Sequence, residues 1–118
     1  MPSGIIVDHQ YQAGTTYKTA IEDSIVSLGS ATHLAKIQPT TGDFAGKSAT
    51  AVWIHCLDNP IYFTPGGTDP DTAGAIGHPL DVGGMLELKN WDNIKNAKFI
   101  RQGSSSGNIM WTPFFNMA

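Results

Sequence analysis

The sequence predicts an all-β protein, either a small antiparallel β-sandwich or a jelly-roll-like barrel. Short apolar runs recur along residues 49–115, and turn-forming residues separate them at near-regular intervals. At 118 residues the chain is long enough for one domain that buries its own core without disulfides. We therefore expect a single β domain over residues 21–118, preceded by an extended N-terminal arm over residues 1–20.

The first 20 residues lack the periodicity of a core-forming element. They contain one short apolar run, and residues 11–17 interrupt any period with glycine and threonine. A segment of this kind needs a neighbour to become ordered. We expect the arm to bind a partner through its larger apolar and aromatic side chains, which are Ile5, Ile6, Val7, Tyr11 and Tyr17.

Two segments before residue 49 are expected to be strands. Residues 24–28 are β-compatible, but the apolar residues from Tyr17 to Leu28 also have helical spacing, and short runs cannot be assigned by periodicity alone. The surrounding β pattern favours a strand there. Residues 31–38 alternate along the chain and end at Pro39, which is typical of a strand terminus.

The clearest strand covers residues 49–57. Trp53 alternates with Val52 and Ile54, and both faces of the run are fairly apolar, as in a central strand covered on both sides. We therefore expect Trp53 to be a buried core anchor. Cys56 is the sole cysteine, which excludes an intramolecular disulfide, and its place in the strand indicates a buried structural thiol.

The second half of the sequence predicts further strands separated by turns. Asn90 is suited to cap a single helical turn over residues 90–96. The predicted strands are residues 61–64, 85–88, 98–101 and 108–111, with a long Gly-Pro loop over 65–79. The tail after Trp111 is apolar for a terminus. It either docks on its own domain or inserts into a partner, and its contact residues would be Phe114 and Phe115.

Composition argues against several classes of function. Charged residues make up 14% of the chain, compared with about 25% in an ordinary soluble domain. The seven Lys and Arg residues are scattered and the net charge is −3, so no basic stripe exists for nucleic acid. No apolar run approaches the roughly 20 residues that span a bilayer, and the N-terminus does not resemble a secretory signal. We expect a protein that folds where it is made.

No residue set predicts catalysis or metal binding. The four histidines match no ligand spacing, and Asp69, Asp71 and Asp81 lack the order of an EF-hand loop. Ser104–106 are flanked by no nucleophile elbow, and Gly66-Gly67 precede no Lys-Ser/Thr pair. We expect a protein that is not an enzyme and has no cofactor, no catalytic residue and no metal ligand.

Four strings in the second half together resemble a pattern in small virion proteins of tailed bacteriophages. That pattern has a Y-x-x-D-G-x-x-P turn, a G-x-x-L-x-x-G turn, an L-x-L strand and an F-x-x-I-R type strand. The matching strings are IYFTPGGTDP (61–70), GHPL (77–80), MLEL (85–88) and AKFIR (97–101). The resemblance covers roughly residues 49–115. Gly66 stands where the pattern often has Asp, and the first string alone is also similar to immunoglobulin-like modules of chitin-degrading enzymes.

The resemblance implies a β-sandwich or jelly-roll-like structural protein of a phage particle. Its leading version is a capsid decoration (cement) protein that binds and stabilises the major capsid lattice, with the major capsid protein and neighbouring copies of itself as partners. Such a protein is made in the host cytoplasm, resides in the virion as a homo-oligomer, and binds neither nucleic acid nor membrane. A head–tail or tail component is the alternative within the particle. A carbohydrate-binding module, with exposed Trp and Tyr stacked on sugar rings, is the alternative from another class.

Overall fold

The computed structural model describes residues 11–117 and confirms the all-β prediction. Within this range nine strands form two antiparallel sheets, and the two helices contain only four and six residues. The fold therefore depends on packing between strands. In chain order the elements are β1 (Tyr11–Ala13), β2 (Tyr17–Ile21), β3 (Val26–Ser27), α1 (Leu34–Ile37), β4 (Ala51–Cys56), β5 (Ile61–Thr64), β6 (His78–Leu80), β7 (Met85–Lys89), α2 (Trp91–Asn96), β8 (Lys98–Arg101) and β9 (Gly107–Asn116).

The first sheet is organised around β9, its longest strand. Within the described range its order is β1-β9-β4-β7, and β2 also pairs with β9 beyond the end of β1. Buried and half-buried residues alternate along all ten positions of β9, so one face of this strand lies in the core. The apolar tail thus docks on its own domain, which was one of the two predicted outcomes.

Pro113 explains why β1 and β2 are separate strands. Proline has no N–H for a sheet ladder. The Pro113 carbonyl accepts a hydrogen bond from the Gly14 N–H at 2.7 Å, so Pro113 lies opposite the break between the two strands. Gly14 is suited to this bend, because a Cβ at that position would lie 2.9 Å from the Phe115 ring.

The predicted arm is wrong for residues 11–20. Tyr11–Ala13 pair with Phe114–Asn116, and Tyr17–Ile21 pair with Gly107–Trp111, so both segments belong to the first sheet. The predicted domain boundary between residues 20 and 21 falls inside β2. Partner strands in the same domain order this part of the chain. Ile5, Ile6 and Val7 lie outside the described residues.

The second sheet has the order β3-β8-β5-β6 among the residues described, and it confirms the strands predicted at 61–64 and 98–101. Of the strand predicted at 24–28, only Val26–Ser27 form a strand, β3. Core residues from both sheets form one buried cluster, which includes Ile54 and Trp111 from the first sheet and Ile61 and Phe99 from the second. The long predicted loop after Thr64 contains a strand, β6, which pairs with β5.

The strand predicted at residues 31–38 is wrong, because this segment contains the helical turn α1. The Leu34 N–H donates to the Ser30 carbonyl, and the Gln38 N–H donates to the Leu34 carbonyl, each at 2.8 Å. Leu34 and Ile37 are three residues apart, and the turn buries Ile37 completely. His33, four residues before Ile37, is also buried, whereas Leu34 is exposed, so burial at helical spacing outweighs the weak alternation of the segment.

The helical turn predicted after Asn90 is confirmed as α2. The Asn90 side chain accepts a hydrogen bond from the Asn93 N–H at 3.2 Å and caps the helix. Ile94 is fully buried against the core. This small helix joins β7 to β8 and so connects the two sheets.

Trp53 is not the buried core anchor that the sequence predicted. It is 47% exposed, whereas its neighbours Val52 and Ile54 are fully buried. Strand β4 lies between β9 and β7, so it is central in hydrogen bonding, yet only one of its faces is covered. Cys56 points to the covered face and is buried, as predicted.

Candidate functional site

The face of the first sheet that points away from the core carries a group of apolar and aromatic side chains. The strand registers place them on the same side of four strands, and we call this group the outer face. Three of its members are among the most exposed large hydrophobic residues described: Met85 at 63%, Tyr11 at 52% and Trp53 at 47%. The outer face consists of Tyr11, Ala13, Ala51, Trp53, His55, Met85, Met110 and Phe114.

Cross-strand pairing arranges the outer face in rows. Phe114 of β9 lies between Ala13 of β1 and Ala51 of β4. Further along the sheet, His55 of β4 lies between Met110 and Met85. Because the alanines on either side of Phe114 have small side chains, the Phe114 ring projects further from the sheet than they do, and the surface is uneven.

Trp53 and Phe114 form the centre of this surface. Their ring centroids are 4.7 Å apart and the ring planes are inclined by 50°. The indole Nε1 of Trp53 donates to the Glu87 carboxylate at 2.8 Å, and Glu87 also pairs with Lys89 at 3.5 Å. The indole thus keeps a defined orientation while much of its ring remains open to solvent.

Two shallow clefts border the central pair. One, of about 210 Å³, is lined by Trp53, Met85, Leu86 and Glu87. The other, of about 280 Å³, is lined by Tyr11, Thr50, Ala51 and Lys89. Each cleft is apolar on one side and has a charged residue on the other, so each can accept an inserted side chain of a partner.

The predicted partner residues separate into two groups. Tyr11 and Phe114 belong to the outer face. Tyr17 instead points towards the core, where its ring packs on Trp111 at 4.9 Å and Lys36 lies 4.7 Å from its centroid. Tyr17 remains half-buried against the core cluster.

Phe115 is not available to a partner, contrary to the prediction. It is 1% exposed, and its ring stacks on Phe44 with centroids 4.5 Å apart. The alternation of β9 is the physical reason, because Phe114 and Phe115 are adjacent in a strand and must point to opposite faces. Trp111 is likewise buried, and its Nε1 donates to the Thr19 hydroxyl at 3.0 Å.

The predicted partner residues included only Tyr11 and Phe114 of the outer face, and the largest residues that they missed are Trp53, His55, Met85 and Met110. The alternation of β4 places Trp53 on the same face as Ala51 and His55. However, both faces of β4 are apolar, so the pattern alone did not show which face lies in the core. Met85 begins a strand in which it, Glu87 and Lys89 share one side, and those two charges are the signal that this side is exposed.

The titratable side chains of the described residues bear on two kinds of site, a metal site and a reactive thiol. Across residues 11–117, no group of three or more His, Cys, Asp and Glu side chains could hold a metal ion. Burial and the nearby carboxylates of Asp58 and Asp81 raise the pKa of the Cys56 thiol, which makes it a poor nucleophile. Its Sγ donates to the Asn59 carbonyl at 3.1 Å.

Among residues 11–117, no helix is long and apolar enough to cross a membrane.

Comparison of the chain with protein-family models, with curated proteins and with solved structures finds no match.

Proposed function

We propose that the protein is a structural component of a tailed-phage virion, of the capsid decoration type, which binds the major capsid lattice through the outer face. The exposed Trp53 ring, packed on the half-buried Phe114 and flanked by the exposed Tyr11 and Met85, is the observation that carries this proposal. The resemblance of residues 49–115 to small virion proteins supplies the biological setting. The proposal includes a β-sandwich in which the two sheets pack face to face, supported by the single buried cluster that they share.

The composition of the outer face suits a protein partner. The centres of protein interfaces are enriched in Trp, Tyr, Phe and Met and depleted in charge, with polar residues at the rim. Trp53, Phe114 and Met110 lie on the two central strands together with the polar Thr112. The charged residues Lys18 of β2 and Glu87 and Lys89 of β7 lie on the outer strands. Contiguous exposed apolar patches of this kind mark interaction sites in soluble proteins.

A planar sugar platform is the competing use of exposed aromatic residues, and the geometry of the outer face argues against it. The 50° inclination between Trp53 and Phe114 prevents one flat ring from contacting both. In addition, the indole N–H already donates to Glu87 and is not free to bind a sugar hydroxyl. Inclined rings with adjacent clefts fit protruding side chains of a protein better than they fit a pyranose.

Many copies of the protein, each attached through this face, together stabilise the shell. Each copy contributes an interface at the low end of the standard size, and many copies on one lattice act together. Because the centre of the face is apolar and carries few charges, attachment depends mainly on hydrophobic burial. We therefore expect only a modest weakening of attachment at high salt.

The experiment uses particles of a phage that encodes this chain. Quantitative mass spectrometry of purified particles is expected to find the chain in stoichiometric proportion to the major capsid protein. Heads that lack the chain are then mixed with the purified protein or with its Trp53→Asp variant. Wild-type protein should bind and raise the temperature at which the heads release DNA, whereas the variant should remain unbound.

Thr68→Asp is the matched control, since Thr68 is exposed in the loop after β5 and far from the outer face in sequence and sheet. This control should bind like wild type. The proposal fails if particles contain only a few copies, or if removal of the chain leaves shell stability unchanged while heads no longer join tails. The latter result would support a head–tail component.

A further inference from the structure

A second surface of the protein is a polar groove between the segment from β3 to the end of α1 and the helix α2. Its volume of about 540 Å³ lies in the range typical of small-molecule sites. None of the residues that line it belongs to the outer face. The lining residues are Ser27, Gly29, Ser30, Leu34, Gln38, Trp91, Lys95 and Asn96.

The two walls of the groove are joined by direct contacts. The Ser27 hydroxyl donates to the Lys95 carbonyl at 3.1 Å, which ties β3 to α2. Gly29 is required at this junction, because a Cβ there would lie 2.3 Å from the same carbonyl oxygen. Packing between two distant parts of the sequence therefore fixes the position of one wall relative to the other.

Several polar groups along the groove remain available to a ligand. Considering the part of the chain that the structure describes, the side chains of Ser30, Trp91, Lys95 and Asn96 have no hydrogen-bond or ion-pair partner. Gln38 donates its amide N–H to Ser48 at 3.0 Å and keeps its carbonyl oxygen as an acceptor. These groups supply both donors and acceptors on a surface that has one formal charge, the Lys95 ammonium.

The groove also has an apolar part. Trp91 is half-buried and packs on the core cluster, and Leu34 of α1 is 36% exposed on the opposite wall. Trp91 thus has a supported ring whose position is set by the core. An aromatic face beside hydroxyl and amide groups is the combination that binds sugars, since the ring contacts the C–H face of a pyranose while polar groups bind its hydroxyls.

We infer that this groove binds a saccharide that carries a carboxylate, such as a uronic acid residue of a polysaccharide. Trp91 contacts the sugar ring, and Ser30, Gln38 and Asn96 exchange hydrogen bonds with its hydroxyls. Lys95 pairs with the carboxylate, which is why an acidic sugar binds more tightly than its neutral counterpart. The inference does not depend on the proposed function, because it uses a different surface.

The test is a titration of the purified full chain with the disaccharide of galacturonic acid and, separately, with the disaccharide of galactose. ¹⁵N–¹H NMR spectra monitor each titration. The acidic disaccharide is expected to shift the Trp91 indole signal and the amide signals around Ser30 and Asn96, with a Kd of about 1 mM. The neutral disaccharide should bind at least about tenfold more weakly, as should the acidic one to Lys95→Met.

Lys47→Met is the matched control, since it removes one Lys at a position outside the groove and should leave the affinity unchanged. Trp91→Leu should abolish binding, and Ser30→Ala provides a milder variant in case the Trp91 variant unfolds. The inference is overturned if no signal shifts, if sodium acetate alone produces the same shifts, if both disaccharides bind equally, or if the shifts map to Trp53 and the outer face.

Discussion

The Asp58 carboxylate holds Asn108 at two points and thereby fixes the start of β9 to the turn after β4. One carboxylate oxygen accepts the Asn108 backbone N–H at 2.8 Å, and the other accepts its side-chain amide at 2.7 Å. The first oxygen also accepts the Asn59 N–H at 2.9 Å. Residues 50 positions apart in sequence are therefore connected at one end of the first sheet.

These hydrogen bonds favour the ionised carboxylate and lower the pKa of Asp58 below its ordinary value of 3.8, with the Asn108 side chain as the largest cause. The stabilisation is fully present above pH 3.8 and is lost as the pH falls through the lowered folded-state value. We expect Asp58→Asn to lower the melting temperature at pH 7 and to flatten its decline below about pH 4. Asp43→Asn, at an exposed site outside this network, is the control. Equal melting curves for the two variants would contradict the role of Asp58.

The local chemistry of turns and caps is the part of the fold that the sequence predicted best. Asn90 capped its helix as expected, because a side-chain oxygen that accepts from a backbone N–H three residues on is a local interaction. Strand β5 was also predicted with its observed bounds, since Pro60 and Pro65 flank it closely. Both signals lie within a few residues of the element that they define.

The predictions from sequence were wrong where tertiary contacts determine which side chains are buried and which segments pair. Whether Trp53 or Ile54 points inward depends on which face of the first sheet the second sheet covers, and β4 is apolar on both faces. The burial of Phe115 likewise follows from the register of β9 with β4. For residues 11–20, pairing with a strand about 100 positions later in the chain replaced the expected arm, and a local pattern does not report such a contact.

The burial of His33 predicts a second pH dependence of folding stability, at a higher pH than the one caused by Asp58. Its side chain is 9% exposed, it meets the Trp111 ring edge-on at 6.0 Å, and its Nδ1 has no hydrogen-bond partner among residues 11–117. Burial, and then the nearby Lys36 charge, lower the His33 pKa below 6.5. The unfolded chain therefore takes up a proton first as the pH falls, and stability decreases from about pH 6.5 downward.

We expect the melting temperature of the wild-type protein to fall between about pH 7 and pH 5, and His33→Phe to remove part of this decline. His78→Phe is the control, since His78 is exposed on β6. Because the Phe ring is larger, His33→Asn is measured as well. A decline that is identical in all three variants and in wild type would show that other groups cause it.

Gly107 is a position where an added methyl group has no room. A Cβ there would lie 2.5 Å from the Asn59 carbonyl oxygen, and this contact involves backbone that cannot rotate away. We expect Gly107→Ala to lower the free energy of unfolding by about 1–3 kcal/mol, as overpacking generally does. Gly66→Ala is the control, because nothing lies within 4 Å of the place that its methyl group would occupy and its φ is not in the left-handed region. Urea denaturation measures both, and similar stabilities would refute the close approach at Gly107.

The two tryptophans of the first sheet provide the sharpest test of the outer face. Trp111 is fully buried and its Nε1 donates to Thr19, so Trp111→Ala should cost about 3–5 kcal/mol of unfolding free energy and broaden the NMR spectrum. Trp53 packs on Phe114 and Glu87 and is 47% exposed, so Trp53→Ala should cost less than about 1 kcal/mol.

In attachment to heads we expect the reverse: a change at Trp53 should matter, and a conservative change at Trp111 should not. Trp53→Ala should fold normally yet lose binding to assembled heads, because truncation of a central aromatic residue commonly costs an interface about 2 kcal/mol or more, that is, about thirtyfold or more in Kd. Trp111→Phe keeps a buried ring and should bind like wild type whenever it is folded. Circular dichroism in urea and sedimentation with heads measure the two properties separately. If Trp53→Ala binds normally, the outer face is not the attachment surface.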